Sequence, residues 1–167
     1  MSSASVDHFG ATLGNSERWS TIFAVALGVV GVSLLGVTFA VKSGNPRWLF
    51  LSLPFTLMLF VIGRYAPLGY RLAADGVHVE RRARPRVIAY RTIRSTDRVA
   101  RPLAGISLTA SKGVFGRFGR FWNSTLGFYR LFLTNRENIV WLETTGGWMA
   151  LSPDRPDEFV ARLRARI

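Results

Sequence analysis

Arginine and aromatic side chains are the residues of this sequence best suited to chemistry, and that chemistry is binding. Arg81, Arg82, Arg84 and Arg86 crowd into one short stretch. Such a cluster can contact anionic lipid headgroups, or it can be a solvated turn beside a membrane. Further on, Phe115, Arg117, Phe118, Arg120, Phe121 and Trp122 interleave rings with guanidinium groups. Three readings fit this second stretch: a strand with core aromatics, a segment dipping into a membrane interface, or a docking surface for another protein. The run Gly113-Val114-Phe115-Gly116-Arg117-Phe118-Gly119 spaces its glycines like a phosphate loop. It lacks the Gly-Lys-Ser/Thr ending and a strand-to-helix setting, which argues against a nucleotide site.

Groups for bond-making are scarce. The chain has no cysteine and only two histidines. A thiolate metal site, a Cys/His dyad and a disulfide are therefore excluded. His78 stands between Val77 and Val79 and reads as a strand-surface residue, while His8 lies in the N-terminal tail. Asp157 and Glu158 are explained as charges at a helix start. The expectation is a protein that is not an enzyme and holds no cofactor and no metal.

An Arg-aromatic mixture can also bind nucleic acid by phosphate contact and base stacking. A nearer polyanion is implied by residues 19–64. The stretches Thr21–Val41 and Trp48–Gly63 hold no charged residue. The short link between them contains Lys42, Gly44, Pro46 and Arg47. A bilayer core about 30 Å thick takes roughly 20 apolar helical residues. The pattern predicts two antiparallel transmembrane helices, about 20–41 and 47–65. The first run is too long for a cleaved signal segment. Gly28, Gly31 and Gly36 give the first helix a small-residue face. That face is either a contact for other membrane helices or ordinary membrane-helix composition. Pro54 predicts a kink midway along the second helix. Residues 1–18 are rich in small and polar types and read as a mobile tail.

The net charge of +12 lies almost wholly after the apolar third. Arginines follow the second helix closely, which favours the cytoplasmic side. Both termini are expected in the cytoplasm, in a two-span protein of the inner or cytoplasmic membrane.

From Tyr70 the pattern changes to strands. Residues 70–73 and 77–81 alternate around the turn Ala74-Asp75-Gly76. Further strands are expected at 87–90, 129–133, 139–143 and 148–151, with Ile93 and Val99 as core positions. This gives six or seven antiparallel strands. Pro156, Asp157 and Glu158 then open a helix whose Phe159, Val160, Leu163 and Ile167 share one face.

From residue 68 to 167 this order resembles the bacterial pleckstrin-homology-like domain. The resemblance rests on Tyr70-Arg71-Leu72 with Asp75-Gly76-Val77, and on Ile88-Ala89-Tyr90 with Ile93. It also rests on the Gly/Phe-rich middle around residues 113–119, and on Leu151-Ser152-Pro153 leading into Pro156-Asp157-Glu158-Phe159. It implies an α+β fold, in which a bent antiparallel sheet or barrel is capped by a C-terminal helix. Bacterial members often follow two membrane helices. The implied role is a non-catalytic accessory or scaffold subunit. Its hairpin would pack against other integral membrane proteins, and its domain would dock on the cytoplasmic face of their assembly. The alternative is a module that binds anionic lipid headgroups. Nucleic acid is not an expected partner.

Overall fold

The computed structural model describes residues 7–167. Two long helices, Asn15–Ser43 and Pro46–Tyr65, form a hairpin. The first is α-helical over Asn15–Val25 and Val32–Ser43, with a π-helical stretch Ala26–Gly31 between them. Gly28 lies in that stretch against Phe55 of the second helix, and a methyl group there would overlap the ring. A methyl group at Gly36 would in turn clash with the Trp48 carbonyl oxygen. These two glycines are used inside the hairpin, so they are not the expected contact for an outside helix. Gly31 meets only atoms of its own helix. The link turns at Gly44 (φ 65°), and the Asn45 side chain accepts from the Arg47 N–H at 3.1 Å.

The second helix begins as a 3-10 turn, Pro46–Phe50, and becomes α-helical over Leu53–Tyr65. Pro54 therefore sits in the first turn of the α-helical part and not at a mid-helix kink. A missing N–H there forfeits no helical hydrogen bond. Outward positions along the hairpin are apolar and exposed, among them Phe23, Leu34, Leu57 and Phe60.

Ten strands are present among the described residues: β1 (Asp7–Gly10), β2 (Pro67–Leu72), β3 (Gly76–Arg81), β4 (Arg86–Ala89), β5 (Ile93–Asp97), β6 (Ile106–Gly113), β7 (Gly116–Asn123), β8 (Gly127–Leu133), β9 (Val140–Thr144) and β10 (Gly147–Leu151). One sheet has the order β1-β2-β3-β4 and the other β5-β9-β10-β8-β7-β6. The expected six or seven strands were too few, because β6 and β7 occupy the Gly/Phe-rich middle, β5 forms around Ile93 and β1 lies in the N-terminal tail. Nor is the pairing wholly antiparallel, since β10 runs parallel to β8.

The main core lies between the sheets and the terminal helix Pro156–Arg164. It gathers Tyr70, Leu72, Val77, Val79, Phe118, Phe132, Leu142, Leu151, Phe159 and Leu163. A smaller core on the other face of the larger sheet holds Phe121, Tyr129, Leu131 and Trp141. There Arg101 lies over the Trp148 ring at 3.9 Å. Val99 and Ile167, expected in the core, are exposed. Val99 falls on the loop after β5, and Ile167 lies past the end of the terminal helix.

The expected mobile tail is corrected over residues 7–18. Strand β1 pairs with β2, matching Asp7 to Leu72 and Phe9 to Tyr70. Phe9 is only 1% exposed and meets the Phe159 ring edge-on at 5.1 Å. Asp7 pairs with Arg162 and Arg166. Thr12 donates to the Asp154 carboxylate through both N–H and Oγ1, each at 2.8 Å. One well-buried aromatic ring and these ionic contacts offset the ordering of a short polar segment. The rest of the tail, residues 1–6, lies outside the described residues.

Candidate functional site: a basic trough below the hairpin

Three contacts fix the strand domain to the base of the hairpin. The turn between β6 and β7 puts the Phe115 ring beside Gly63, in a cavity shared with Val25 and Leu59. Phe115 adopts φ 57°, a left-handed conformation uncommon for a bulky residue. Its N–H donates to Thr21 Oγ1 at 2.8 Å. In the turn between β3 and β4, the Ala83 N–H donates to the Arg64 carbonyl at 2.7 Å. Glu17, buried at the start of the first helix, accepts from Arg136 Nε at 2.8 Å.

Below this joint, three cavities adjoin one another, running from the gap between the two sheets onto the face of the larger one. The first, about 500 Å³, is lined by Val61, Ile62 and Tyr65 of the second helix with Arg81, Thr109 and Phe118. The next, about 260 Å³, is lined by Arg81, Arg86, Arg120, Arg130, Thr109 and Phe132. The last, about 320 Å³, lies between Leu108, Phe128, Arg120 and Arg130. Shared residues join them into one trough that is apolar at the hairpin, basic in the middle and apolar again at the far end.

Strand register explains why the arginines meet. Arg120 is directly opposite Arg130 across β7 and β8. Arg81 ends β3 and Arg86 begins β4 on the facing sheet. Among the described residues, none of these four makes an ion pair with a carboxylate. Arg81 leans on the Tyr65 ring at 5.9 Å and donates to the Arg84 carbonyl at 2.8 Å. Its Nε is buried with no hydrogen-bond partner. Burial first, and the neighbouring Arg86 second, hold Arg81 below the usual guanidinium range. Arg130 is lowered by burial, then by Arg86 and Arg120. Four guanidinium groups so placed repel one another and leave their donors available for an anion.

Beyond the arginines, Ile106, Trp122 and Phe128 stand opposite one another on β6, β7 and β8. All three are exposed, as is Leu108 on the same edge strand. This row lies roughly 20 Å along the strands from the Phe115 turn, at about 3.3 Å per residue.

The structure divides the residues singled out in the sequence. Arg81, Arg86 and Arg120 meet in the trough. Arg82 lines the cavity around Phe115, and Arg84 is exposed outside the trough. Phe118 and Phe121 are buried in the two cores. Phe115 is a wedge at the hairpin, and Trp122 belongs to the exposed row. Arg117 lies near Glu17 and Arg136, and burial first and Arg136 second lower its pKa. His78 hydrogen-bonds to Asp75 at 2.7 Å across the turn from β2 to β3. Arg130, Ile106, Leu108 and Phe128 were missed as site residues. Their signal is the two-residue alternation along β6 and β8, visible once those runs are taken as strands.

The sequence model of the family described as Bacterial PH domain matches residues 68–167. No curated protein and no solved structure matches the chain.

Proposed function

Because the chain belongs to the bacterial PH domain family, we propose that it is a non-catalytic accessory or scaffold subunit of a membrane protein assembly. The helical hairpin is the anchor. Its two helices are long and apolar enough to span a bilayer, and their outward side chains would be costly to leave in water. The arginines below the hairpin favour a cytoplasmic domain, with both termini on that side.

The observation that carries the docking role is the exposed row Ile106–Trp122–Phe128 with Leu108. It lies at the end of the strands away from the hairpin, where lipid does not cover it. Aromatic residues beside arginine are the composition of protein interfaces. The partner is the cytoplasmic part of an integral membrane protein, with an apolar surface to cover Ile106, Trp122 and Phe128.

The test is a photo-crosslinking residue at position 128 in the native membrane. The expected result is one discrete adduct with a membrane protein that also co-purifies. Trp122→Glu with Ile106→Glu should abolish both without unfolding the domain. A protein that leaves the membrane as a lone monomer and forms no adduct would sink the reading. Topology is tested separately with a reporter active only in the cytoplasm. It should work at either terminus and fail when inserted at Gly44.

A further inference from the structure

We propose that the trough is a built site for one anionic phospholipid, with its phosphate among Arg81, Arg86, Arg120 and Arg130. The inference is independent of the protein-docking row. Three observations carry it. First, the four guanidinium groups converge from two sheets on one cavity, and among the described residues no carboxylate neutralises them. Clustering like charges without counter-ions opposes folding, so an anion of the right shape relieves a cost already present. Planar guanidinium donors match phosphate oxygens in pairs.

Second, the cavity adjoining the arginines toward the hairpin is lined by Val61, Ile62, Tyr65 and Phe118. Val61 and Tyr65 are themselves exposed on the outer surface of the second helix. An acyl chain lying along that helix can therefore continue into the trough. The order is apolar at the bilayer side and cationic below it, which is the order of a phospholipid read from chain to phosphate.

Third, Arg81 is held against Tyr65 and carries a buried, unpartnered Nε. One wall of the phosphate cavity is thereby tied to the end of the hairpin. A soluble phosphate would meet the arginines but not use the apolar cavity, and an acidic peptide would have no need of Val61 and Ile62.

The experiment uses the full chain in neutral detergent micelles. The probes are phosphatidylglycerol, phosphatidylcholine, inorganic phosphate and an oligoglutamate peptide, with native mass spectrometry and thermal unfolding as readouts. One phosphatidylglycerol should be retained per chain and should raise the unfolding temperature. Phosphatidylcholine should do so far less. Arg120→Gln with Arg130→Gln should weaken retention by about tenfold or more, as expected for losing charged hydrogen bonds. The same pair, measured without lipid, should unfold at a higher temperature than the unaltered chain, because repulsion is relieved. Arg82→Gln with Arg84→Gln keeps the trough intact and should leave retention unchanged. Should the first pair fail to fold, Arg120→Lys serves in its place, keeping the charge but losing the paired donors, and should weaken retention.

Equal losses in the two double variants would overturn the site in favour of general surface charge. Inorganic phosphate binding as well as phosphatidylglycerol would overturn the lipid as its source. Oligoglutamate binding with no lipid retained would overturn it in favour of a protein ligand.

Discussion

The Tyr70 hydroxyl donates to the Phe132 carbonyl at 2.5 Å and accepts from the Ser152 N–H at 3.0 Å. Ser152 Oγ in turn accepts from the Thr134 N–H at 2.8 Å. One phenol and one hydroxyl thus join β2, the end of β8 and the end of β10. Burial raises the Tyr70 pKa to about 12 from the ordinary 10.0, and the Ser152 hydrogen bonds only partly oppose it. The folded state therefore favours the neutral phenol. Its contribution is intact below pH 10 and is lost as pH rises toward 12, by roughly 2–3 kcal/mol at the top of that window. Denaturant midpoints measured from pH 9 to 12 should fall more steeply for the unaltered chain than for Tyr70→Phe. Parallel curves would refute this assignment. At neutral pH, Tyr70→Phe should cost about 1–3 kcal/mol, because the buried Ser152 N–H loses its acceptor. In the sequence Tyr70 was legible as a strand residue. Its partners lie about half the chain away, and no local pattern names them.

At the scale of elements, the hairpin and the β6–β7 turn each hold a test. Gly28→Leu forces a side chain into the Phe55 ring and should destabilise the hairpin by about 1–3 kcal/mol or more. Gly31→Leu meets only its own helix, at ordinary contact distance, and should be close to neutral. Unfolding in micelles would separate them, and equal losses would mean that the hairpin does not pack as described. Phe115→Ala empties the joint between domain and helices and should cost roughly 2 kcal/mol, since the ring is half-buried. Hydrogen exchange at Ala83 and Phe115 should then quicken while the sheet core keeps its protection. The hairpin helices and the terminal helix were legible because apolar runs, and proline with acidic residues at a helix start, are local signals. The strand pair β6 and β7 was not, because glycines at 113, 116 and 119 mask the alternation. The convergence of Arg120 and Arg130 with Arg81 and Arg86 needs both the register and the facing sheet. Only the Arg81–Arg86 half of that site is contiguous in the chain.

On the scale of the molecule, the family match begins at residue 68, but the folded unit begins earlier. It includes β1, Phe9 against Phe159, and Asp7 against Arg162 and Arg166. Phe9→Ala should therefore cost about 3–4 kcal/mol, close to a full core aromatic. A fragment starting at residue 68 should unfold at a lower temperature than the full chain in detergent, and restoring residues 7–14 as a peptide should recover part of the loss. Equal stability of fragment and full chain would remove β1 from the core.

Strand β1 pairs with the strand that resumes after the hairpin, so the whole hairpin is the connection of a single β-ribbon. A ribosome makes β1 first and must then synthesise residues 11–66 before its neighbour exists. At ~5–20 residues per second that wait is roughly 3–10 s. During it Phe9 is without its pocket, and the later strands and Phe159 are not yet made. With the hairpin as the proposed two-span anchor, completion of the sheet would report that both helices have been threaded with their ends on one side. A chain threaded only once would leave β1 and β2 on opposite faces of the bilayer, unable to meet, and its domain would stay open to proteases. Under the proposed anchoring, closing the sheet would be the fold's own check on membrane insertion.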